Sequence, residues 1–201
     1  HHGAKAKVRV GVSTFVPKPH TPFQWASLDN LDNIRRKQEL MRQEFGRTNG
    51  IIFNWNKPEE SLMEAFLSRG DRRLGAVIKT AWEHGAKFDA WGDWFNRAAW
   101  QQGFEAHGLD PWWYAQRPRP ADEIFAWDHI TAAVRKNFLF QDFRQSLEGQ
   151  IRVDCRQHCF ACGILPTFND LRRENPGDYW KCPVVKNPAR QIQDALPVIG
   201  D

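Results

Sequence analysis

Long apolar runs are missing from this sequence of 201 residues. No stretch approaches the ~18 consecutive apolar residues that a membrane helix requires. We also expect no signal peptide, because no charged start followed by an apolar segment is present near His1. Cysteine is absent before Cys155, which excludes a disulfide framework spread along the chain. We therefore expect a cytoplasmic protein that does not bind a membrane.

The charge carries little information about partners. The 28 Lys and Arg residues stand against 24 Asp and Glu residues, which gives a net charge of +4. A mildly basic chain is weak support for nucleic-acid binding. The 41% hydrophobic content indicates one or two soluble domains with a sizeable core. The first methionine is Met41, so we expect either a removed start or a piece of a longer protein.

The first third of the sequence predicts alternating strands and helices. Val8, Val10 and Val12 alternate with Arg9 and Gly11, which predicts a strand within residues 7–16. Prolines at 17, 19 and 22 then predict an extended loop. Spacing and end signals predict the next elements as helix 28–45, strand 51–55, helix 58–69 and helix 72–84. This order is typical of a parallel α/β sheet.

From residue 88 onward the strand signal disappears. Helices are predicted over 90–107, 110–116 and 130–147, and ten Trp residues in the chain make this region unusual. Trp91, Trp94, Phe95 and Ala98 share one face of the first of these helices, which favours a buried core. The alternative is a nucleic-acid surface, on which aromatic rings stack with bases near Arg117, Arg119 and Lys136.

Four cysteines lie in the last quarter of the chain. Three of them form a C-x₃-C-x₂-C loop, and a fourth follows in a Trp-Lys-Cys-Pro segment; they are Cys155, Cys159, Cys162 and Cys182. Closely spaced thiolates can face one metal ion or cluster, which predicts a zinc or iron–sulfur site. His158 is an alternative fourth ligand, and an unmetallated thiol cluster is the alternative to any metal site.

Charged residues also surround Gly70. They are Glu64, Arg69, Asp71, Arg72 and Arg73. The arginines can bind an anion through two parallel hydrogen bonds. A structural role of these residues in ion pairs is favoured. Helix capping is favoured over an acid role for Asp89, Asp93 and Asp128.

Several longer segments match one protein family in order. The segments are VSTFVPKPHTPFQW (12–25), SLMEAFLSRGDRRL (61–74), GAKFDAW (85–91), WDHI (127–130), DCRQHCFACG (154–163) and PGDYWKCP (176–183). Together they resemble the C-terminal part of radical SAM proteins that carry an N-terminal cobalamin-binding-like domain. The resemblance spans nearly all of residues 7–186.

The resemblance implies an α/β fold in three parts. Residues 1–87 would form the closing strands and helices of a partial TIM-like radical SAM barrel, 88–149 a mainly helical extension, and 150–201 an irregular metal-binding tail. The cobalamin-like domain and the motif that holds the 4Fe-4S cluster for S-adenosylmethionine (AdoMet) would lie upstream of His1. The complete protein would cleave AdoMet to a 5′-deoxyadenosyl radical that acts on an unknown substrate. This chain alone would be inactive and would require the missing part or a partner chain.

By the same resemblance, the end of the first strand faces AdoMet or substrate. The residues implied are Ser13, Thr14, Lys18, His20 and Thr21. Loops at strand ends often carry function, although the prolines can instead serve only to stiffen the chain. The cysteine cluster is implied to be an auxiliary iron–sulfur centre or a zinc site, and cobalamin is a candidate cofactor of the complete protein. The alternative functions are a zinc-stabilised RNA-binding module and a structural interaction module.

Overall fold

The computed structural model describes residues 6–182. Within them the fold is mixed α/β and mostly helical, with two parallel strands. The strands are β1 (Val8–Val12) and β2 (Ile51–Trp55). The α-helices are α1 (Leu31–Phe45), α2 (Pro58–Arg69), α3 (Leu74–Glu83), α4 (Arg97–Ala106), α5 (Pro111–Gln116), α6 (Lys136–Leu147), α7 (Ile164–Thr167) and α8 (Asn169–Glu174).

The β1–α1–β2 segment confirms the parallel pairing expected from the sequence. Val8 pairs with Ile51 and Val12 with Trp55, so paired side chains share a face of the sheet. The Phe45 ring of α1 stacks on Phe53 with centroids 5.9 Å apart, which places α1 on the face of Val10, Phe53 and Trp55. The opposite face carries Arg9, Gly11 and Asn54, which are exposed, and Ile52, which is half-buried.

Two compact units divide the chain. Among the described residues, the first unit contains 6–19 together with Ala26–Arg119, and the second contains His20–Trp25 and 120–182. Within the first unit α3 packs closely on α4, and the segments 1–87, 88–149 and 150–201 stay a prediction.

The core of the first unit lies among α2, α3, α4 and α5. Phe66, Leu74, Val77, Phe104 and Tyr114 form its buried centre. Helices α3 and α4 approach closely because Gly103 has no side chain. A Cβ added there would lie 2.8 Å from the carbonyl oxygen of Val77.

The second unit has an aromatic core. Trp25, Phe125, Trp127 and Leu139 are buried together, and the Phe125 and Trp127 rings stack with centroids 4.7 Å apart. Buried Gln24 accepts a hydrogen bond from Trp127 Nε1 at 2.8 Å, which satisfies the indole donor inside this core.

The prediction of a buried Trp face near residue 91 was wrong. Helix α4 begins at Arg97 rather than at residue 90, with Asn96 as its N-cap. Residues 89–94 form turns, and Asp89 Oδ1 accepts a hydrogen bond from the Asn96 backbone N–H. Without a helix the four residues share no common face, and Trp91 and Trp94 are 69% and 67% exposed.

Helix boundaries differ elsewhere by several residues. Helix α1 begins at Leu31 instead of residue 28, because the Asn30 side chain accepts a hydrogen bond from the Asn33 N–H of the first turn. Helix α6 begins at Lys136 instead of residue 130. None of the helices in residues 6–182 has both the length and the apolar character required to cross a membrane.

Candidate functional site

A groove of about 840 Å³ lies beside the end of β1 in the first unit. Ser13 and Thr14 line it from the strand end, Asn30, Asn33 and Lys37 from the start of α1, and Gln116 from α5. We call this space the β1-end groove. Its hydroxyl, amide and ammonium groups can bind a polar ligand through several hydrogen bonds.

Hydrogen bonds around Asp29 fix one wall of the β1-end groove. Its carboxylate accepts bonds from Lys37 Nζ at 2.7 Å and from Asn33 Nδ2 at 3.0 Å. The hydrogen bond from Lys37 lowers the pKa of Asp29, and the hydrogen bond from Asn33 lowers it further. Burial acts in the opposite direction. Gln116 Nε2 donates to the Asp29 carbonyl oxygen at 3.2 Å. This wall is therefore ordered and holds an ionised carboxylate at neutral pH.

The five residues predicted at the strand end do not form one cluster. Ser13 and Thr14 line the groove, but Lys18 forms an ion pair with Glu64 of α2. His20 and Thr21 belong to the second unit. There the His20 backbone N–H donates to Gln24 Oε1, and the Thr21 carbonyl accepts from the Gln24 backbone N–H. Both residues thus help to form a turn that orients Gln24.

Sequence reasoning missed the other lining residues. Asn30 carries a local signal, because an Asn directly before an apolar-periodic segment is a common N-cap. Gln116 carries no local sequence signal, because it lies 87 residues from its hydrogen-bond partner Asp29. Only the packing of α5 against α2 brings it to the groove.

The charged residues around Gly70 support the structural interpretation. Arg69 is 2% exposed and donates from Nη1 to the Ala115 carbonyl oxygen at 3.0 Å. Arg73 binds both carboxylate oxygens of Asp71, and its guanidinium lies over the Trp113 ring. Hydrogen bonding to Arg73 lowers the pKa of Asp71, while burial opposes that shift. These contacts connect α2 and α3 with α5.

Short turns shape the cysteine loop of the second unit. Ala161 and Gly163 have φ of 53° and 109°, and the Arg135 backbone N–H donates to the Cys162 carbonyl at 2.8 Å. All four cysteines are free thiols, with Cys155 and Cys182 exposed. The pKa of Cys182 is raised by burial first, then by a hydrogen bond with Cys159 and by the nearby charges of Cys159, Cys162 and Cys155. The Cys182 thiol therefore lies near the other three cysteines.

The arrangement of these thiols is not that of a formed metal site. Across residues 6–182, no group of three or more His, Cys, Asp or Glu side chains is placed so that it could hold a metal ion. The alternative ligand His158 is buried, and its ring packs edge-on against Phe160 with centroids 4.6 Å apart. The donor chemistry suits zinc or an iron–sulfur cluster. The ligand geometry would have to form on binding.

Comparison with known proteins adds no relative. The chain matches no family model, no curated protein and no solved structure.

Proposed function

We propose that this chain forms the closing part of a radical SAM barrel, with its cysteine loop as an auxiliary metal site. In that class of enzyme a reduced iron–sulfur cluster supplies the electron that cleaves AdoMet. The proposal rests on the sequence resemblance and on one structural observation. That observation is the mainly polar face of the β1–β2 sheet, which carries Arg9, Gly11, Ile52 and Asn54 and which α1 does not cover.

Within residues 6–182, the β1–β2 sheet is covered by a helix on one face only. Helix α1 packs on the face that carries Phe53. On the other face Arg9, Gly11 and Asn54 are exposed and Ile52 is half-buried. A Cβ added at Gly11 would have no atom within 4 Å. Arg9 and Asn54 on this face cannot be buried in an apolar core without a large desolvation cost. The face suits the inside of a barrel that holds a polar ligand.

The edges of the same sheet support a larger assembly. Among the described residues β1 pairs only with β2, so each strand has an outer edge without a neighbouring strand. A parallel sheet is normally covered on both faces, and two strands alone are marginally stable. Further strands beside β1 or β2 would complete the barrel and enclose the polar face.

The test uses the complete protein, purified anaerobically and reconstituted with iron and sulfide. We expect dithionite-dependent conversion of AdoMet to 5′-deoxyadenosine. The variant Gly11→Trp places a large ring on the polar face, so it should lower this rate about tenfold or more, an effect of about 1.4 kcal/mol. Gly75→Trp is the matched control, because a Cβ at Gly75 of α3 also meets no atom within 4 Å. Absence of 5′-deoxyadenosine, or equal rates in the two variants, would contradict the proposal.

Metal analysis tests the auxiliary site separately. The cysteine loop should bind either one zinc ion or an iron–sulfur cluster, and Cys159→Ser should remove most of the metal. Coloured protein with iron and sulfide would identify a cluster, whereas colourless protein with one zinc would identify a zinc site. Protein that takes up neither metal under anaerobic conditions would show that the thiols serve another purpose. Ser68→Ala, which leaves every cysteine in place, is the control.

A further inference from the structure

The turns between α3 and α4 present three large aromatic rings to solvent. Phe88, Trp91 and Trp94 are 73%, 69% and 67% exposed. Within the described residues, none of these rings stacks on another aromatic ring or on a cation. A monomer gains nothing by exposing this much ring surface, and contiguous exposed apolar patches commonly mark binding sites.

Several hydrogen bonds hold this segment in place, so its rings are displayed by an ordered backbone. The Trp91 N–H donates to the Phe88 carbonyl at 2.9 Å, and the Trp94 N–H donates to the Trp91 carbonyl at 2.7 Å. Lys57 Nζ donates to the Gly92 carbonyl at 3.0 Å, which fixes the middle of the segment to the start of α2. The entropic cost of ordering the rings on a ligand is thereby reduced.

Phe88 itself adopts a disfavoured backbone conformation. Its φ of 59° lies in the left-handed region, which is rare for a bulky side chain. Such strain costs about 1–3 kcal/mol and is found preferentially at functional sites. Packing does not explain it here, because the ring is 73% exposed.

A cleft of about 440 Å³ opens beside two of the rings. Phe88, Phe95 and Trp94 line it together with Lys87, Arg97 and Asp93. This volume is within the range of small-ligand sites. Lys87 takes part in no hydrogen bond or ion pair within the described residues, and Arg97 has only a 3.9 Å approach to Glu59. Aromatic faces and two accessible cations are thus combined in one cleft.

We propose that this cleft, with Trp91 beside it, binds single-stranded nucleic acid. One base stacks on Trp94 or Phe88 and the next on Trp91, while Lys87 and Arg97 bind the phosphates between them. Stacking platforms with flanking cations are the general means of binding unpaired strands. Duplex bases are already stacked on each other and are not available to these rings. The proposal does not depend on the radical SAM assignment.

The experiment measures fluorescence anisotropy of a labelled oligoadenylate of about 12 nucleotides, a length within the usual site sizes, with the full chain. Salt is varied from about 50 to 200 mM. Trp94→Ala should weaken binding by about fivefold or more, the equivalent of about 1 kcal/mol of lost stacking, and leave the salt slope unchanged. Lys87→Ala combined with Arg97→Ala should lower the slope of log K against log salt by about 1.4. Circular dichroism and thermal melting check that each variant is folded.

Two variants serve as matched controls. Trp112→Ala removes a partly exposed indole that does not line the cleft, and Arg47→Ala removes an exposed cation from the turn between α1 and β2. Neither should change affinity more than about twofold, the size of ordinary surface effects. Equal losses in Trp94→Ala and Trp112→Ala would overturn the proposal. A duplex of the same length that binds as tightly as the single strand would also overturn it.

Competition with AMP separates a strand from a free nucleotide. The strand should bind much more tightly than AMP, since it occupies more than one ring. If AMP binds more tightly than the strand and Trp94→Ala abolishes its binding, the proposal of strand binding is overturned. The cleft is then a site for a free nucleotide. The proposal is also overturned if neither probe binds and the protein self-associates in a way that Trp94→Ala abolishes. The surface is then a protein interface.

Discussion

Arg69 donates a hydrogen bond from its Nη1 atom to the carbonyl oxygen of Ala115, 3.0 Å away. The same carbonyl accepts a bond from the Leu28 backbone N–H at 2.9 Å. The end of α2, the end of α5 and the segment before α1 therefore meet at one oxygen atom. This junction positions Gln116 and Asp29, which line the β1-end groove.

Removal of the Arg69 side chain should destabilise the first unit. Arg69→Ala deletes a buried hydrogen bond from a charged donor and leaves a cavity, so we expect a loss of about 3 kcal/mol in the free energy of unfolding. Urea denaturation followed by circular dichroism measures it. Arg72→Ala, at an exposed position three residues along, should change stability by no more than about 0.5 kcal/mol. Similar losses in both variants would show that the junction contributes little.

The bond between Gln24 and Trp127 should be a coupled pair in the second unit. Gln24 is 2% exposed and accepts from Trp127 Nε1 at 2.8 Å. Gln24→Leu leaves the indole donor buried without this acceptor, which should cost about 1–3 kcal/mol. In the Trp127→Phe background the indole donor is absent. Gln24→Leu should therefore destabilise that variant by about 1 kcal/mol less than it destabilises the wild type. Additive effects in this double-mutant cycle would mean that the bond has no net effect on stability.

Local signals in the sequence predict much of the fold. The alternation of Val8, Val10 and Val12 predicts β1, and Pro58 followed by two glutamates predicts the start of α2. The exposed Trp residues show the limit of such patterns. Trp91, Trp94 and Phe95 have helical spacing, but the Asp89–Asn96 hydrogen bond selects turns instead. Spacing alone contains no information about that competing bond.

The candidate sites depend on contacts that sequence patterns do not encode. The family resemblance implies a site role for Ser13 and Thr14, and the structure places both along the β1-end groove. His20 and Thr21 follow the same strand closely but belong to another unit, since aromatic packing around Trp25 draws residues 20–25 into it. The role of Gln116 depends on α5 packing against α2, which is a long-range event.

An ion pair on α1 should give the protein a measurable acid response. A hydrogen bond from Arg42, with a further one from Gln43, lowers the pKa of the Glu39 carboxyl to about 2. Its stabilising effect is fully present above the unfolded-state pKa, about 4.3, and is lost as the pH falls towards 2. Arg42→Gln should return the Glu39 pKa towards about 4.3.

Carboxyl ¹³C chemical shifts during an NMR titration measure the Glu39 pKa directly. The stability difference between wild type and Arg42→Gln should be present at pH 7 and vanish below about pH 2. Arg36→Gln is the control, because Arg36 lies on the same helix and makes no ion pair within the described residues. A Glu39 pKa that stays low in Arg42→Gln would assign the shift to Gln43 instead.

Two glycines in neighbouring helices should respond oppositely to alanine. In α4, a Cβ at Gly103 would lie 2.8 Å from the Val77 carbonyl oxygen and 3.1 Å from Val77 Cγ1, so α3 and α4 would have to separate. In α3, a Cβ at Gly75 would meet no atom within 4 Å. Gly103→Ala should therefore destabilise the protein by about 1–2 kcal/mol, because overpacking outweighs the better helix propensity of alanine. Gly75→Ala should stabilise it by about 0.5 kcal/mol through that propensity alone. Because both changes add one methyl group to a helix, equal effects in thermal melting would show that α3 and α4 do not pack as closely as Gly103 implies.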